Sequence, residues 1–158
     1  MKIGFGYDIH RLKKGEKLIL GGENIDHDKG LHGHSDADVV IHAVIDALLG
    51  ASGQGDIGRH FPDDDPKWEG VSSMYLLQRV KYLLEQKKLK IHNIDITVVL
   101  EKPTLLYYYS RMETNIAGVL DIPEDYINIK ASTNEKIGLI GKEEGIATFC
   151  VALLEKIG

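Results

Sequence analysis

From residue 34 to residue 50 the chain reads His-Ser-Asp-Ala-Asp-Val-Val-Ile-His-Ala-Val-Ile-Asp-Ala-Leu-Leu-Gly. Apolar side chains this dense, recurring at three- and four-residue spacing, predict a helix packed on a core. Ser35 is placed to cap its first turn with Asp38 three residues on. Asp36 and Asp38 sit where the helix dipole favours negative charge, and Gly50 supplies a permissive stop. Val40, Val44, Ala47 and Leu48 then make the buried face. Asp38, His42 and Asp46 lie four apart and stack on a neighbouring face. An imidazole flanked in this way suits a metal ligand whose other ring N–H is held by a carboxylate such as Asp46. It equally describes a solvated polar stripe, and the helix alone does not choose.

A chain of 158 residues corresponds to one domain, here spanning 1–158, able to bury roughly two thirds of its unfolded surface. The longest apolar run, Ile146 to Leu154, is too short to cross a bilayer, so no membrane partner is expected. Asp8 and His10 interrupt the place where the apolar part of a signal peptide would lie. A net charge of −5 argues against nucleic acid or an anionic membrane surface as a partner. The single cysteine, Cys150, lies in an apolar run, reads as a small buried hydrophobe, and leaves no disulfide to form within the chain.

In chain order, Lys2 to His10 reads as a strand punctuated by Gly4 and Gly6, and alternation puts Asp8 and His10 on one side of it. Lys17 to Leu20 is a second strand, followed by a polar, glycine-bearing loop to Gly33. Gly53 to Pro66 is too rich in Gly and Pro for regular structure. Ser72 or Ser73 caps a helix with a Leu76, Leu77, Val80, Leu83, Leu84 stripe. Ile94 to Leu100 is a β-branched strand, and a third helix runs from Thr104 with Leu105, Tyr109, Met112, Ile116 and Val119 at helical spacing. Ile127 to Ala131 and Ile146 to Leu154 are the remaining strands, joined through polar turns. Strands and helices mix without strict βαβ alternation, which predicts an α+β fold: one mixed β-sheet with helices on one face. Too few residues remain to cover the other face, so sheets packing against one another in an oligomer is the economical solution.

Six of the seven histidines fall within the first 60 residues, so candidate chemistry gathers at that end. Asp8, His10 and His42 offer one carboxylate and two imidazoles, a set that suits Zn²⁺ with a fourth position open for substrate. Asp63-Asp64-Asp65 and Ser132-Thr133 are either functional or ordinary solvated loops, which spacing alone does not separate. The chain has no G-x-x-x-x-G-K-[ST] loop, no G-x-S-x-G elbow, no C-x-x-C pair and no G-x-G-x-x-G opening a helix after a strand.

Gly6-Tyr7-Asp8-Ile9-His10, Gly33 to Asp38 through His42, Gly55-Asp56-Ile57-Gly58 with Phe61-Pro62-Asp63, and Thr133-Asn134-Glu135-Lys136 with Gly145-Ile146-Ala147 together resemble the 2-C-methyl-D-erythritol 2,4-cyclodiphosphate synthase family. The likeness runs in order through essentially the whole chain. It implies a homotrimer with sheets facing inward, helices outside and active sites at subunit interfaces. It also implies a small-molecule substrate carrying cytidine diphosphate, cyclised with loss of CMP in the non-mevalonate isoprenoid pathway. By the same resemblance Asp8, His10 and His42 hold one zinc per subunit, Glu135 holds Mg²⁺ or Mn²⁺, and His34 and Thr133 stabilise the transition state. Substrate contacts are implied at Asp8, Ile9, His10, His34, Ser35, Asp56, Ile57, Gly58, and the loop Phe61, Pro62, Asp63, Asp64, Asp65. The cytidine pocket, contributed by a neighbouring subunit, is implied at Leu100, Glu101, Lys102, Pro103, Thr104, Leu105, Leu106 and Ala131, Ser132, Thr133, with Asn134 and Glu135 following.

Two departures stand out. Thr104 occupies a position where many relatives carry lysine, with Lys102 as a nearby substitute. Leu139 and Lys142 replace an aromatic and an arginine that line a central cavity for isoprenoid diphosphates in the family, and lysine gives up bidentate phosphate recognition. A zinc phosphoesterase using the same three ligands, or a non-catalytic isoprenoid-diphosphate-binding trimer, are the competing readings. The expected location is the bacterial cytoplasm, or a plastid-type organelle after removal of a transit peptide.

Overall fold

The computed structural model describes all residues, 1–158. Strands β1 (Lys2–Lys14), β4 (Lys29–His32), β5 (Leu89–Val99), β6 (Ile127–Ser132) and β7 (Gly145–Lys156) form one sheet in the order β4-β1-β7-β5-β6. All neighbours are antiparallel except β5 and β6. A small separate hairpin is made by β2 (Leu18–Leu20) and β3 (Glu23–Ile25). Helices α1 (Val39–Ser52), α3 (Ser73–Gln86) and α4 (Tyr109–Leu120) accompany the sheet, with single-turn α2 (Ile57–His60) and α5 (Gly138–Gly141) in the connections. The mixed α+β class read from the sequence is the observed one.

Alternation decides which side of the sheet the helices take. Ile94, Ile96 and Val98 of β5 and Cys150, Ala152 and Leu154 of β7 are buried, whereas Ile3, Phe5 and Tyr7 of β1 and Phe149 and Val151 of β7 are exposed on the opposite face. Ile3 is 72% and Phe5 62% exposed, an apolar surface that a soluble monomer seldom shows.

The centre of the helical layer is α1. It is buried nearly all round rather than on one face: only His42, Asp46 and Gly50 of its fourteen residues escape full burial. It rests directly on β1 because β1 has glycine where it crosses. A Cβ on Gly4 would overlap the Ala47 carbonyl oxygen, and one on Gly6 the Ala43 carbonyl oxygen. Asp8 and His10 continue the same face of β1, so the close approach sets them beneath His42.

The ends of α1 differ from those read in the sequence. Ala37 adopts a left-handed φ of 58°, so no helix can pass through it, and Asp38 rather than Ser35 is the N-cap, accepting from the Ile41 N–H at 3.1 Å. The helix runs through Gly50 and stops at Gly53, whose φ of 71° closes it. Asp38 is fully buried and accepts also from the Gly21 and Gly22 N–H groups at 2.9 and 2.8 Å, so it belongs to the β2–β3 hairpin and not to the His42 stripe. Burial pushes its carboxyl up to about 6 against the pull of these three donors.

Other boundaries moved for local reasons. Residues 21–33, read as loop, hold β3 and β4, short strands whose polar side chains hide them. β5 starts at Leu89, with a bulge at Ile91 to Asn93 that blurs the alternation. The third helix begins at Tyr109 rather than Thr104, after a turn in which the Tyr108 N–H bonds the Leu105 carbonyl at 2.8 Å.

Candidate active site

Three donor atoms converge where α1 crosses β1. Asp8 Oδ2 lies 2.7 Å from His10 Nε2 and 3.2 Å from His42 Nδ1, and the two ring nitrogens are 3.2 Å apart. A tetrahedral zinc with bonds of about 2.0–2.1 Å has ligand-to-ligand edges of about 3.3 Å, so this triangle is the right size and needs only slight opening. Burial alone would raise the Asp8 carboxyl, but the two imidazoles hold it down to about 2. Burial alone would likewise lower the His42 pKa; the Asp8 carboxylate at hydrogen-bond distance, helped by Asp38 and Asp36, holds it above its usual value. The arrangement is an anion between two imidazoles that a divalent cation can replace as the source of positive charge.

The far side of His42 is also specified. Its Nε2 lies 2.9 Å from Ser73 Oγ and 3.0 Å from Ser35 Oγ. Ser73 is completely buried at the start of α3, where its hydroxyl donates to Asp36 Oδ1 and its backbone N–H donates to Asp36 Oδ2 at 3.0 Å. With the Ser73 proton committed to Asp36, Ser73 Oγ accepts from Nε2–H, which leaves the Nδ1 lone pair facing Asp8 and His10. The partner behind His42 is therefore Ser73. Asp46, expected in that position, accepts instead from the Ile57 N–H at 2.7 Å and so locates α2. Neither Ser73 nor Asp36 was picked out for this role from the sequence, where both read as helix-end residues.

A cavity of about 310 Å³ opens over the triangle. Of the expected substrate contacts, Asp8, His10, His34, Ser35, Ile57, Gly58, Phe61 and Asp63 line it, together with the expected metal ligand His42. Trp68 and Leu76, not anticipated, complete an apolar wall on which the Phe61 ring meets Trp68 edge to face at 4.9 Å. His34 Nε2 is buried without a hydrogen-bond partner. A buried polar atom in this position beside a cavity is satisfied from the cavity, by water or by a ligand. Asp56 caps α2 through the Arg59 N–H at 2.9 Å, and Asp65 caps the turn at Pro66–Trp68 through the Lys67 N–H at 3.0 Å. Pro62 and Asp64 are not in the lining, and Ile9 faces the other side of β1.

A second cleft of about 180 Å³ is lined by Leu100, Glu101, Pro103, Thr104, Leu105, Leu106, Ala131, Ser132 and Thr133, with Tyr109 added. Apart from Tyr109, these residues were expected together. Lys102 is outside the lining, exposed, and ion-paired with Glu143 at 3.6 Å. Glu135 is exposed on the following loop, where its N–H donates to Thr133 Oγ1 at 3.3 Å. The two clefts share no residue, so one chain does not bring Thr133 and Glu135 into the cavity of His34. Leu139 borders a third recess of about 170 Å³ with Ile9 and His10, and Lys142 is exposed.

The YgbB family profile matches residues 1–155. A 2-C-methyl-D-erythritol 2,4-cyclodiphosphate synthase of Syntrophobacter fumaroxidans is 50% identical over 158 residues, covering 100% of this chain and 99% of that protein. A bifunctional enzyme IspD/IspF of Desulforudis audaxviator is 54% identical over 155 residues, 98% of this chain but 39% of its own length. Among solved structures, the bifunctional IspDF from Campylobacter jejuni superposes with a TM-score of 0.95 at 40% identity over 99% of this chain and 42% of its own. A 2C-methyl-D-erythritol-2,4-cyclodiphosphate synthase in a CDP-bound form superposes at 0.89 with 35% identity, over 98% of this chain and 100% of its own. The chain belongs to the YgbB family, the 2-C-methyl-D-erythritol 2,4-cyclodiphosphate synthases.

Proposed function

We propose that this chain cyclises 4-diphosphocytidyl-2-C-methyl-D-erythritol 2-phosphate to 2-C-methyl-D-erythritol 2,4-cyclodiphosphate and releases CMP, a phosphorus–oxygen lyase step of non-mevalonate isoprenoid synthesis. The observation that carries this reading is the convergence of Asp8, His10 and His42 at the floor of a cavity beside an unpartnered His34, in a chain half identical to synthases of this activity. Asp8, His10 and His42 fit zinc by donor type and spacing, with a fourth position left to substrate. Glu135, a lone exposed carboxylate, fits Mg²⁺ or Mn²⁺, which take one or two protein carboxylates and complete their shell with phosphate and water. When bound, such cations neutralise phosphate charge and fix in-line geometry.

The side chains then have little covalent work to do. The 2-phosphate is largely ionised at neutral pH and attacks without a strong base. A bond forms between its oxygen and the β-phosphorus, and the bond from the β-phosphorus to the bridging oxygen breaks, so that CMP departs with the electron pair. The His34 Nε2 is available to a phosphoryl oxygen. The Thr133 hydroxyl oxygen accepts from the Glu135 N–H, so its own proton is available to a phosphoryl oxygen too. Ile57, Phe61, Trp68 and Leu76 give the branched carbon skeleton an apolar wall that excludes water. Because both reacting groups belong to one molecule, folding the substrate is a large part of the acceleration.

This reading requires a neighbouring subunit. The cavity over Asp8 and the cleft at Leu100 to Leu106 are separate in one chain, and the sheet presents an exposed apolar face at Ile3, Phe5, Tyr7, Phe149 and Val151. A homotrimer whose sheets pack inward buries that face and joins each cavity to a cytidine cleft from the next subunit. The test is incubation of the purified protein with the diphosphocytidyl phosphate substrate and Mg²⁺, with and without a zinc chelator, with products identified by mass. Equimolar CMP and cyclic diphosphate, lost on chelation and restored by zinc, are expected. Linear hydrolysis products would make the protein a zinc phosphoesterase, and intact substrate would reduce it to a binder.

A further inference from the structure

Thr133, Asn134, Glu135 and Lys136 form a loop whose backbone is unusual. Glu135 and Lys136 both adopt left-handed φ angles, 51° and 60°, although neither is glycine. Consecutive residues in this region carry a steric cost and persist only where surrounding contacts over-determine them. The contacts here are specific. Glu101 Oε1 accepts from the Asn134 N–H at 2.7 Å and from the Lys136 N–H at 3.2 Å, while Thr133 Oγ1 takes the N–H of Glu135 between them. Three successive N–H groups are thus all satisfied, the outer two by one carboxylate oxygen and the middle one by Thr133. Successive N–H groups in such a turn make a concavity that attracts anions, and here the protein's own carboxylate occupies it. The Leu100 N–H also donates to the Ser132 carbonyl at 3.0 Å, so the strand end before Glu101 and the start of the loop are bonded to each other as well.

We propose that Glu101 is a positioning residue: its carboxylate, working from the cytidine-cleft segment, holds the Thr133–Lys136 loop so that the Thr133 hydroxyl and the Glu135 carboxylate face the transferring phosphoryl group. The proposal rests on the cyclase reading for the roles of Thr133 and Glu135. It does not need Glu101 to touch substrate or metal. Glu101 reaches the loop with the one oxygen that both N–H groups share, so acceptance of hydrogen bonds is its task and a formal charge is not required. The segment that would grip the nucleotide and the loop that would act on its phosphates then move as one body.

The test compares Glu101→Ala and Glu101→Gln in the full chain by amide hydrogen exchange and by steady-state kinetics. In Glu101→Ala the amides of Asn134 and Lys136 lose protection while those of α1 and β1 keep theirs, and kcat falls about tenfold or more with KM changing by less than about threefold, as expected when positioning rather than binding is lost. Glu101→Gln, whose amide oxygen still accepts, regains the loop protection and most of the lost kcat. The proposal is overturned if Glu101→Ala leaves exchange in the loop unchanged, or if Glu101→Gln is as impaired as Glu101→Ala. The exchange measurement needs no turnover, so a wild-type chain that failed to cyclise substrate would refute the cyclase reading and leave this one to be judged on the amides.

Discussion

His42 shows how much one residue's surroundings decide. Its Nδ1 faces Asp8 and His10 because Nε2 is claimed on the other side by Ser73, itself locked by Asp36. Removing that lock by Ser73→Ala leaves Nε2 to Ser35 Oγ, whose own proton can be donated to it, so the other tautomer opens, and zinc affinity should fall about 10- to 100-fold, the usual consequence of losing a partner behind a histidine ligand. Competition with a fluorescent chelator measures it. The same site predicts a pH dependence. Zinc needs neutral His42, whose protonated form Asp8 holds favoured above the usual pKa of 6.5. A pKa raised in the folded metal-free protein means that protons compete with zinc at pH values above 6.5 and win as the pH falls, so apparent affinity should weaken steeply from pH 8 to pH 6. An affinity flat over that range would show that the metal displaces no proton from His42. From sequence, the donor set Asp8, His10 and His42 was legible because strand alternation and an i, i+4 helix stripe are local rules. Ser73 and Asp36 were not, since their meeting depends on where α3 starts relative to α1.

At the scale of elements, the meeting of α1 and β1 is what makes a site out of these residues. The helix lies on glycine backbone at Gly4 and Gly6, with no side chain between. Gly6→Ala places a methyl group into the Ala43 carbonyl, backbone against backbone, and should destabilise the fold by about 3 kcal/mol or more, at the upper end for overpacking. Urea unfolding gives this number, and zinc affinity should fall with it because α1 can no longer seat His42 over Asp8. The sequence identified α1, α3, β5 and β7 through dense periodic apolar residues. It concealed β3 and β4, whose few residues pair at an edge with polar side chains, and it misplaced the ends of α1 because the left-handed turn at Ala37 has no signature in an alanine. The cleft at Leu100 to Leu106 and Ala131 to Thr133 was found as a set by resemblance alone, since the two segments are far apart in sequence and meet only where the parallel strands β5 and β6 end, with the Leu100 N–H on the Ser132 carbonyl.

In the proposed homotrimer each active site lies between two subunits, the metal triangle from one and the Thr133–Glu135 loop from the other. His42→Ala and Glu135→Ala should each be inactive alone. Dissociated, mixed in equal amounts and reassembled, they should recover about one quarter of the wild-type activity per site, the fraction of interfaces that combine both intact halves when subunits of a closed ring associate at random. No recovery would mean that both halves come from one chain. The acidic net charge of −5 fits the same proposal: cations held by carboxylates such as Asp8 and Glu135 would let an acidic chain meet a polyanion. In the proposed reaction a phosphate of the substrate, and not water, is the nucleophile. Turnover in water enriched in oxygen-18, with mass analysis of the products, tests it most directly. CMP and cyclic diphosphate that both lack the heavy isotope are expected; oxygen-18 in CMP, or in a linear phosphate formed at the first turnover in place of the cyclic product, would identify water as the nucleophile and contradict the cyclase reading.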